Sequence, residues 1–287
     1  MPHTAKPPVR RLETESGSFA YAEAGEGEPV LFVHGSLGTL HDFSRQLSPF
    51  SARYRFISYS RRFHPPSPPP QEGETYTIDG HADDCSTVIA RLQAAPVHLV
   101  GASWGGYVGL ALALRSPELV ASLVLMEPPI LPLLQRSTAG RIAAETYTRD
   151  AIEPSRAAFL GGEPEEGVRR FVDGIAGVAG SFDALPQKAK ERLLGAAAEL
   201  KLEFCTPHES YMPPPDPDRL AELKIPVLLV QGERSPKLFH LILDELELAL
   251  PDTRRVIIPR SGHAVQIENP QHFNGVLEQF LEEVRRP

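Results

Sequence analysis

Pro96-Val97-His98-Leu99-Val100-Gly101-Ala102-Ser103-Trp104-Gly105-Gly106 is the stretch on which the reading of this chain turns. An apolar run rich in strand formers enters it, Gly-x-Ser-x-Gly follows, and an Ala- and Leu-rich segment, Tyr107 to Leu114, leaves with helical character. Strand, sharp turn and helix form the setting in which this pattern raises a serine hydroxyl to the carboxyl edge of a sheet. Gly101 and Gly105 carry no Cβ, so strand and helix can close around a strained turn. Gly, Ala and Ser are common enough to match by chance; the flanking strand and helix separate this match from an accidental one. Ser103 is the candidate nucleophile.

The chain has 287 residues, of which 41% are hydrophobic and 23% charged. That length accommodates a large α/β domain, or a domain with an insertion, around a full core. A formal net charge of −8 argues against a nucleic-acid partner, which would call for a basic face. Cys85 and Cys205 lie in unrelated segments without metal or redox spacing and read as reduced thiols. The first eight residues have no apolar core of a leader, and no apolar run reaches bilayer length. A soluble, cytoplasmic protein without a membrane or nucleic-acid partner is the expectation.

Read in order, Phe19–Ala24 is an early strand, and Val30–Val33 is a short apolar run of the kind buried on both faces. That run stops at His34-Gly35-Ser36-Leu37-Gly38, with a helix expected from about Leu40 to Phe50 and a strand over Phe56–Tyr59. Prolines between Arg61 and Pro70 exclude helix or inner strand and predict a stiff surface loop. Arg61 and Arg62 read as solvated, as do Asp79, Asp83 and Asp84 on a helix from Ile78 to Ala94. After Ser103 and its helix comes a strand over Leu123–Met126, ending in Glu127-Pro128-Pro129.

The pattern then changes. Residues 130–224 show helical periodicity broken by Gly/Pro joints and no strong strand. The β/α alternation resumes with a strand at Pro226–Val230, a helix at Leu238–Leu250, a strand at Arg255–Ile258 and a closing helix at Phe273–Val284. This alternation predicts an α/β fold: a mainly parallel central sheet covered by helices on both faces. Residues 1–129 and 225–287 would form the core, and residues 130–224 a helical cap inserted between two strands.

A serine hydroxyl needs a base, and histidine is the usual one because its pKa lies near the working pH. His263 follows the last strand in Gly262-His263, on a loop at the same carboxyl edge as Ser103. His34, in a tight apolar loop, and His208, in the cap, are weaker alternatives. An oxyanion needs prearranged donors. Trp104 N–H, directly after the nucleophile, is one, and Ser36 N–H, in the loop after Val30–Val33, is the other.

Taken together, His34-Gly35, Gly101-x-Ser103-x-Gly105 and Gly262-His263 resemble the α/β-hydrolase fold superfamily over most of the chain, from about Phe19 to Val284. The resemblance implies a Ser–His–acid triad, an oxyanion hole at Ser36 and Trp104, a helical cap and no cofactor or metal. Its members include esterases, lactonases and C–C bond hydrolases; the dehalogenases and epoxide hydrolases attack through a carboxylate, which Ser103 does not offer.

The acid departs from the common pattern. Where members often carry Gly-x-x-Asp, this chain has Gly232-Glu233-Arg234-Ser235, with Ser235 at the aspartate position. Glu233 remains on that turn. Glu127, leaving the preceding core strand directly, matches a smaller group that includes zearalenone-type lactonases and is the favoured acid. The expected activity is hydrolysis of a small apolar ester or lactone through an acyl-enzyme. C–C bond hydrolysis with the same triad is the second reading, and a non-catalytic ligand-binding protein of this fold is the third. In the cap, Phe159, Phe171, Phe182, Phe204 and Tyr211 read as packing residues rather than pocket lining. Oligomeric state is not legible.

Overall fold

The structure is a computed structural model describing residues 7–207 and 211–285. Eight strands form one sheet: β1 (Arg10–Thr14), β2 (Gly17–Ala24), β3 (Pro29–Val33), β4 (Arg55–Tyr59), β5 (Val97–Ala102), β6 (Val120–Met126), β7 (Val227–Gly232) and β8 (Thr253–Ile258). Their order is β1-β2-β4-β3-β5-β6-β7-β8. The pairs from β4 through β8 are parallel, and the β1–β2 and β2–β4 pairs are antiparallel. The edge strand β1, Arg-Arg-Leu-Glu-Thr, is largely exposed. It carries no apolar run, which is why periodicity did not reveal it.

Three helices come before β6: α1 (Ser44–Ser51), α2 (Ile78–Arg91) and α3 (Trp104–Arg115). The helix expected from Leu40 begins as a 3-10 turn over Leu40–Phe43, capped by the Thr39 hydroxyl, before α1 takes over. Between β6 and β7 lie α4 (Thr138–Tyr147), α5 (Glu153–Leu160), α6 (Pro164–Ala176), α7 (Gln187–Leu194), α8 (Ala197–Cys205) and α9 (Pro217–Glu222). Among the described residues, no strand occurs in this insertion. Then come α10 (Lys237–Ala249), α11 (Val265–Glu268) and α12 (Pro270–Val284).

Alternate residues of a strand face opposite sides, and the inner strands are apolar on both. Phe32, Val100, Val124 and Val230 pack with Phe50 of α1 and Phe273 and Leu277 of α12. Leu31, Leu99, Leu125 and Leu229 pack on the other side with Val88 of α2, Val108 of α3 and Leu243 of α10. Helices therefore cover both faces, and the loops leaving the parallel strands collect at one edge. The insertion has an apolar cluster of its own, built on Phe159, Phe171, Phe182 and Phe204.

The loop after β4 departs from its sequence reading. Pro66, Pro68 and Pro69 are exposed, but Arg61, Phe63, His64 and Ser67 turn inward. Arg61 is fully buried, donating Nε–H to His34 O at 3.0 Å and Nη1–H to the Tyr76 hydroxyl at 2.8 Å. Arg62 pairs with Asp84, which is also buried, so neither belongs to a solvated face. Asp79 and Asp83 are exposed and pair with Arg115. A pattern of charges on one helix does not show which of them a distant loop will meet. Cys85 is a buried free thiol and Cys205 a half-buried one. Among the described residues, no helix is long and apolar enough to cross a membrane.

Candidate active site

Ser103 sits between β5 and α3 with φ 51° and ψ −122°, a left-handed backbone that a residue with a side chain adopts only under constraint. Its N–H donates to Met126 O at 2.8 Å, tying it to the end of β6, and its carbonyl accepts from Gly106 N–H at 2.8 Å. The glycines around it are sterically required. A Cβ on Gly101 would lie 2.4 Å from Gly105 O, and one on Gly105 would lie 2.2 Å from Val33 O. β3, β5 and α3 thus meet at backbone distance beneath the serine.

The loop after β3 passes directly against Ser103: a Cβ on Gly35 would lie 2.9 Å from the Ser103 Cβ. Gly38 N–H closes this turn onto Gly35 O at 3.2 Å, with Leu37 held at φ 56°. Ser36 lies within the turn, and Trp104 is the first residue of α3, where the helix provides no acceptor for its N–H. Trp104 follows the serine in the chain, and Ser36 lines the same small cavity as Ser103.

Glu127 follows β6 at φ 48° and is 1% exposed. Each carboxylate oxygen is occupied. Oε1 accepts Gly232 N–H at 2.7 Å; Oε2 accepts the Ser235 hydroxyl at 2.8 Å and lies 2.7 Å from His263 Nδ1. A buried carboxylate is costly unless it is bonded in this way. Ser235, at the position where related chains often carry aspartate, hydrogen-bonds Glu127 instead. The sequence reading had no role for it, because a hydroxyl donor carries no charge signal. Glu233 is exposed and accepts Arg260 N–H at 2.7 Å, away from the histidine.

His263 is oriented by Glu127 and by Phe239 of α10, whose ring stacks on the imidazole at 4.2 Å. Its Nε2 is buried and makes no hydrogen bond among the described residues, so the link to Ser103 Oγ is not formed here. Such contacts are commonly long before substrate binds. His34 has both nitrogens engaged, Nδ1–H to Gly35 O at 2.8 Å and Nε2 accepting Arg61 N–H at 3.0 Å. Burial, with His64 and Arg61 nearby, holds its pKa well below the usual histidine range. His208 lies outside the described residues.

A small cavity of about 10 Å³ opens on Ser103, room for a single water molecule. Leu131, Ile152, Phe171, Ile175, Phe204, Tyr211 and Met212 line it, together with Ser36 and Glu203. Phe171, Phe204 and Tyr211 therefore serve as lining as well as packing, whereas Phe159 and Phe182 only pack. Larger grooves, one between α4 and α10 and one where Ile78 and Tyr107 face Pro214 and Arg219, contain neither Ser103 nor His263.

Glu199 and Glu203, a helical turn apart on α8, were missed from the sequence, and both are buried. Glu203 Oε2 accepts the Ser36 hydroxyl at 2.7 Å, and Glu199 Oε1 accepts the Tyr76 hydroxyl at 2.6 Å. Two acids beside Leu200 and Phe204 on a mostly apolar helix were the available signal. Burial and the neighbouring Glu199 charge push Glu203 well above the usual carboxylate range. Burial opposes ionisation of Glu199 too, but His64, Arg61 and Tyr76 outweigh it and hold that carboxyl low. Among the described residues, no three His, Cys, Asp or Glu side chains are grouped to hold a metal ion.

The chain is 25% identical over 280 residues to 2-(acetamidomethylene)succinate hydrolase of Mesorhizobium japonicum, covering 95% of each chain. The solved structure of Est816, an N-acyl homoserine lactone degrading enzyme, superimposes with a TM-score of 0.73 at 21% identity, covering 94% of this chain and all of that one. The meta-cleavage product hydrolase CumD from Pseudomonas fluorescens IP01 gives a TM-score of 0.72 at 20% identity, covering 96% of this chain and 98% of that one. At those identities the two structures speak for the fold alone. Residues 28–270 match the family described as the alpha/beta hydrolase fold, and the chain belongs to that family.

Proposed function

We propose that this protein is a serine hydrolase acting on a small, apolar carboxylic ester or lactone through an acyl-enzyme. Ser103 Oγ attacks the carbonyl carbon while His263 Nε2 takes its proton, and Glu127 fixes the imidazole tautomer and balances the imidazolium. Ser36 and Trp104 N–H hold the oxyanion. Collapse breaks the C–O bond, and the leaving oxygen takes the proton from His263. Water then repeats the sequence on the acyl group and restores Ser103. In this reading the insertion is a cap over the site, and its apolar lining recognises the acyl or alcohol part.

The observation that carries the reading is the 2.7 Å contact between Glu127 and His263, on loops at the sheet edge where Ser103 stands. A hydrolase relative over 95% of the chain supports it. The test combines a fluorophosphonate probe with short p-nitrophenyl esters, aliphatic lactones and a vinylogous 1,5-diketone. Expected are a stoichiometric adduct on the Ser103 peptide and turnover of esters or lactones. Turnover of the diketone alone would move the activity to C–C cleavage, and neither adduct nor turnover would leave a ligand-binding protein.

A further inference from the structure

The loop offering Ser36 to the oxyanion is tied to the core at His34 and Gly38, which Arg61 and His64 hold, but its two central residues are bonded from the insertion above it. Ser36 Oγ–H donates to Glu203 Oε2 at 2.7 Å, and Leu37 N–H donates to Glu199 Oε2 at 3.2 Å. The Leu37 side chain, 2% exposed, is buried among Phe159, Phe171 and Phe204 rather than in the sheet layers. Leu37 also keeps a left-handed backbone, φ 56°. A non-glycine residue holds that conformation only where its surroundings over-determine it. Here those surroundings are α8 and the aromatic cluster of the insertion.

The acid pair is fixed from the core side as well. Glu199 Oε1 accepts the Tyr76 hydroxyl at 2.6 Å and lies 3.0 Å from His64 Nε2, with the Arg61 guanidinium at 4.0 Å. Arg192 of α7 adds a second tie, to Asp42 after the oxyanion loop. Lifting α8 would remove the Ser36 and Leu37 partners together and leave the strained turn only its own Gly38–Gly35 bond and the His64 contact to Gly38 O. An oxyanion donor works only when held at hydrogen-bond distance from where charge develops.

We infer that the cap completes the oxyanion hole: Glu203 and Glu199 of α8 are positioning residues that set the Ser36–Leu37 loop, so Ser103 is competent only with the cap closed. Closure over substrate and assembly of the catalytic donors are then one event, which favours substrates small enough for the cap to close behind. The inference rests on the hydrolase reading above.

The test uses the full chain and four variants: Ser36→Ala, which keeps the backbone N–H, Glu203→Leu, the two combined, and Glu203→Gln. Steady-state kinetics on a p-nitrophenyl ester and thermal unfolding are measured for each, with fluorophosphonate labelling of the unmodified protein. Ser36→Ala and Glu203→Leu should each lower kcat about tenfold, with KM changed less than about twofold, as expected for donors misplaced rather than removed. The double variant should lose no more than the worse single one, because both cut the same link. Glu203→Gln, whose amide oxygen can still accept from Ser36, should recover most of kcat. Unchanged kcat in Ser36→Ala, or additive losses in the double variant, would overturn the inference. Should Glu203→Leu fail to fold, Ser36→Ala alone and combined with Glu203→Gln decides by the same kcat criterion. Absence of Ser103 labelling in the unmodified protein would instead remove the hydrolase reading, and the inference with it.

Discussion

Glu127 and His263 meet at 2.7 Å across the end of the strand that separates theirs in the sheet. Glu127 leaves β6, His263 follows β8, and the intervening β7 ends at Gly232, whose N–H binds the same carboxylate. A Cβ on Gly232 would lie 2.1 Å from Gly262 O, so the histidine loop crosses this strand only because Gly232 has none. Glu127→Gln should keep the shape but lose the charge that favours the correct tautomer, lowering kcat by about 10⁴. Glu233→Gln, which bonds only to the Arg260 turn, should retain most activity. Steady-state kinetics on one ester decides it. The reverse ranking would move the acid to Glu233.

Local chemistry was the legible part of this molecule. Gly101-x-Ser103-x-Gly105 fixes a backbone path within a few residues, so Ser103 could be set at the end of β5 without knowing its partners. Glu127 was legible at the end of β6, but the extended backbone that Pro128 favours is not the one it takes, φ 48°. What stayed hidden depends on long-range pairing. Arg61 is buried because Tyr76 and the carbonyl of His34 receive it, and no spacing in the chain announces that. Ser235 reads as an aspartate lost until Glu127 is seen to accept its hydroxyl. Glu203 accepts the hydroxyl of Ser36, 167 positions away. The exposed strand β1 escaped for the opposite reason: burial is what writes a pattern into a strand, and β1 has little.

Ser103→Ala removes one hydroxyl from a turn whose strain is borne by backbone bonds to Met126 O and from Gly106 N–H. Fluorophosphonate labelling and ester turnover should fall to background, while the thermal midpoint shifts by no more than a few degrees. Mass spectrometry showing full labelling on another residue would remove Ser103 as nucleophile.

The glycines beneath the serine give a stability comparison. Alanine at Gly105 would place a methyl 2.2 Å from Val33 O and 2.6 Å from His34 O, both backbone atoms that cannot step aside cheaply. Gly105→Ala should cost about 3 kcal/mol. Gly275, exposed within α12, has nothing within 4 Å of a built Cβ. Gly275→Ala should therefore gain about 0.5–1 kcal/mol from helix propensity. Denaturant midpoints of the two variants check the contrast, and equal midpoints would contradict the packing described here.

Trp104 is the single tryptophan and stacks on Tyr211 of the insertion, with centroids 5.1 Å apart and planes 9° from parallel. If substrate reaches Ser103 by displacement of the insertion, the surroundings of that indole change. Mixing Ser103→Ala protein with substrate should change Trp104 emission at a rate that reaches a plateau as substrate rises, in the microsecond-to-millisecond range of lid motions. A rate that climbs linearly throughout would mean that entry needs no opening step.

Glu203 faces Glu199 on its own helix, Ser36 and Arg61 from the core, and the Tyr147 and Tyr211 rings around the cavity. Burial first, and the Glu199 charge second, raise its pKa well above the usual range. In an unfolded chain this carboxyl gives up its proton near about pH 4.3. As pH rises beyond that point the unfolded chain deprotonates while the folded one still holds the proton. Stability then falls, by at most about 1.4 kcal/mol per pH unit from this group, until the folded carboxyl also ionises. Glu199 has the opposite shift: its contribution is present above its unfolded pKa and is lost as pH falls through its lower folded value. The two therefore act in different windows, and of this pair it is Glu203 that acts on the neutral side. Glu203→Gln has no proton to lose and keeps the bond to Ser36, so its advantage in thermal midpoint over the unmodified protein should grow from pH 4.5 to pH 8. Calorimetry across that range checks it. Parallel profiles would mean that Glu203 is already ionised in the folded chain, and that α8 meets the Ser36–Leu37 loop with two charges rather than one.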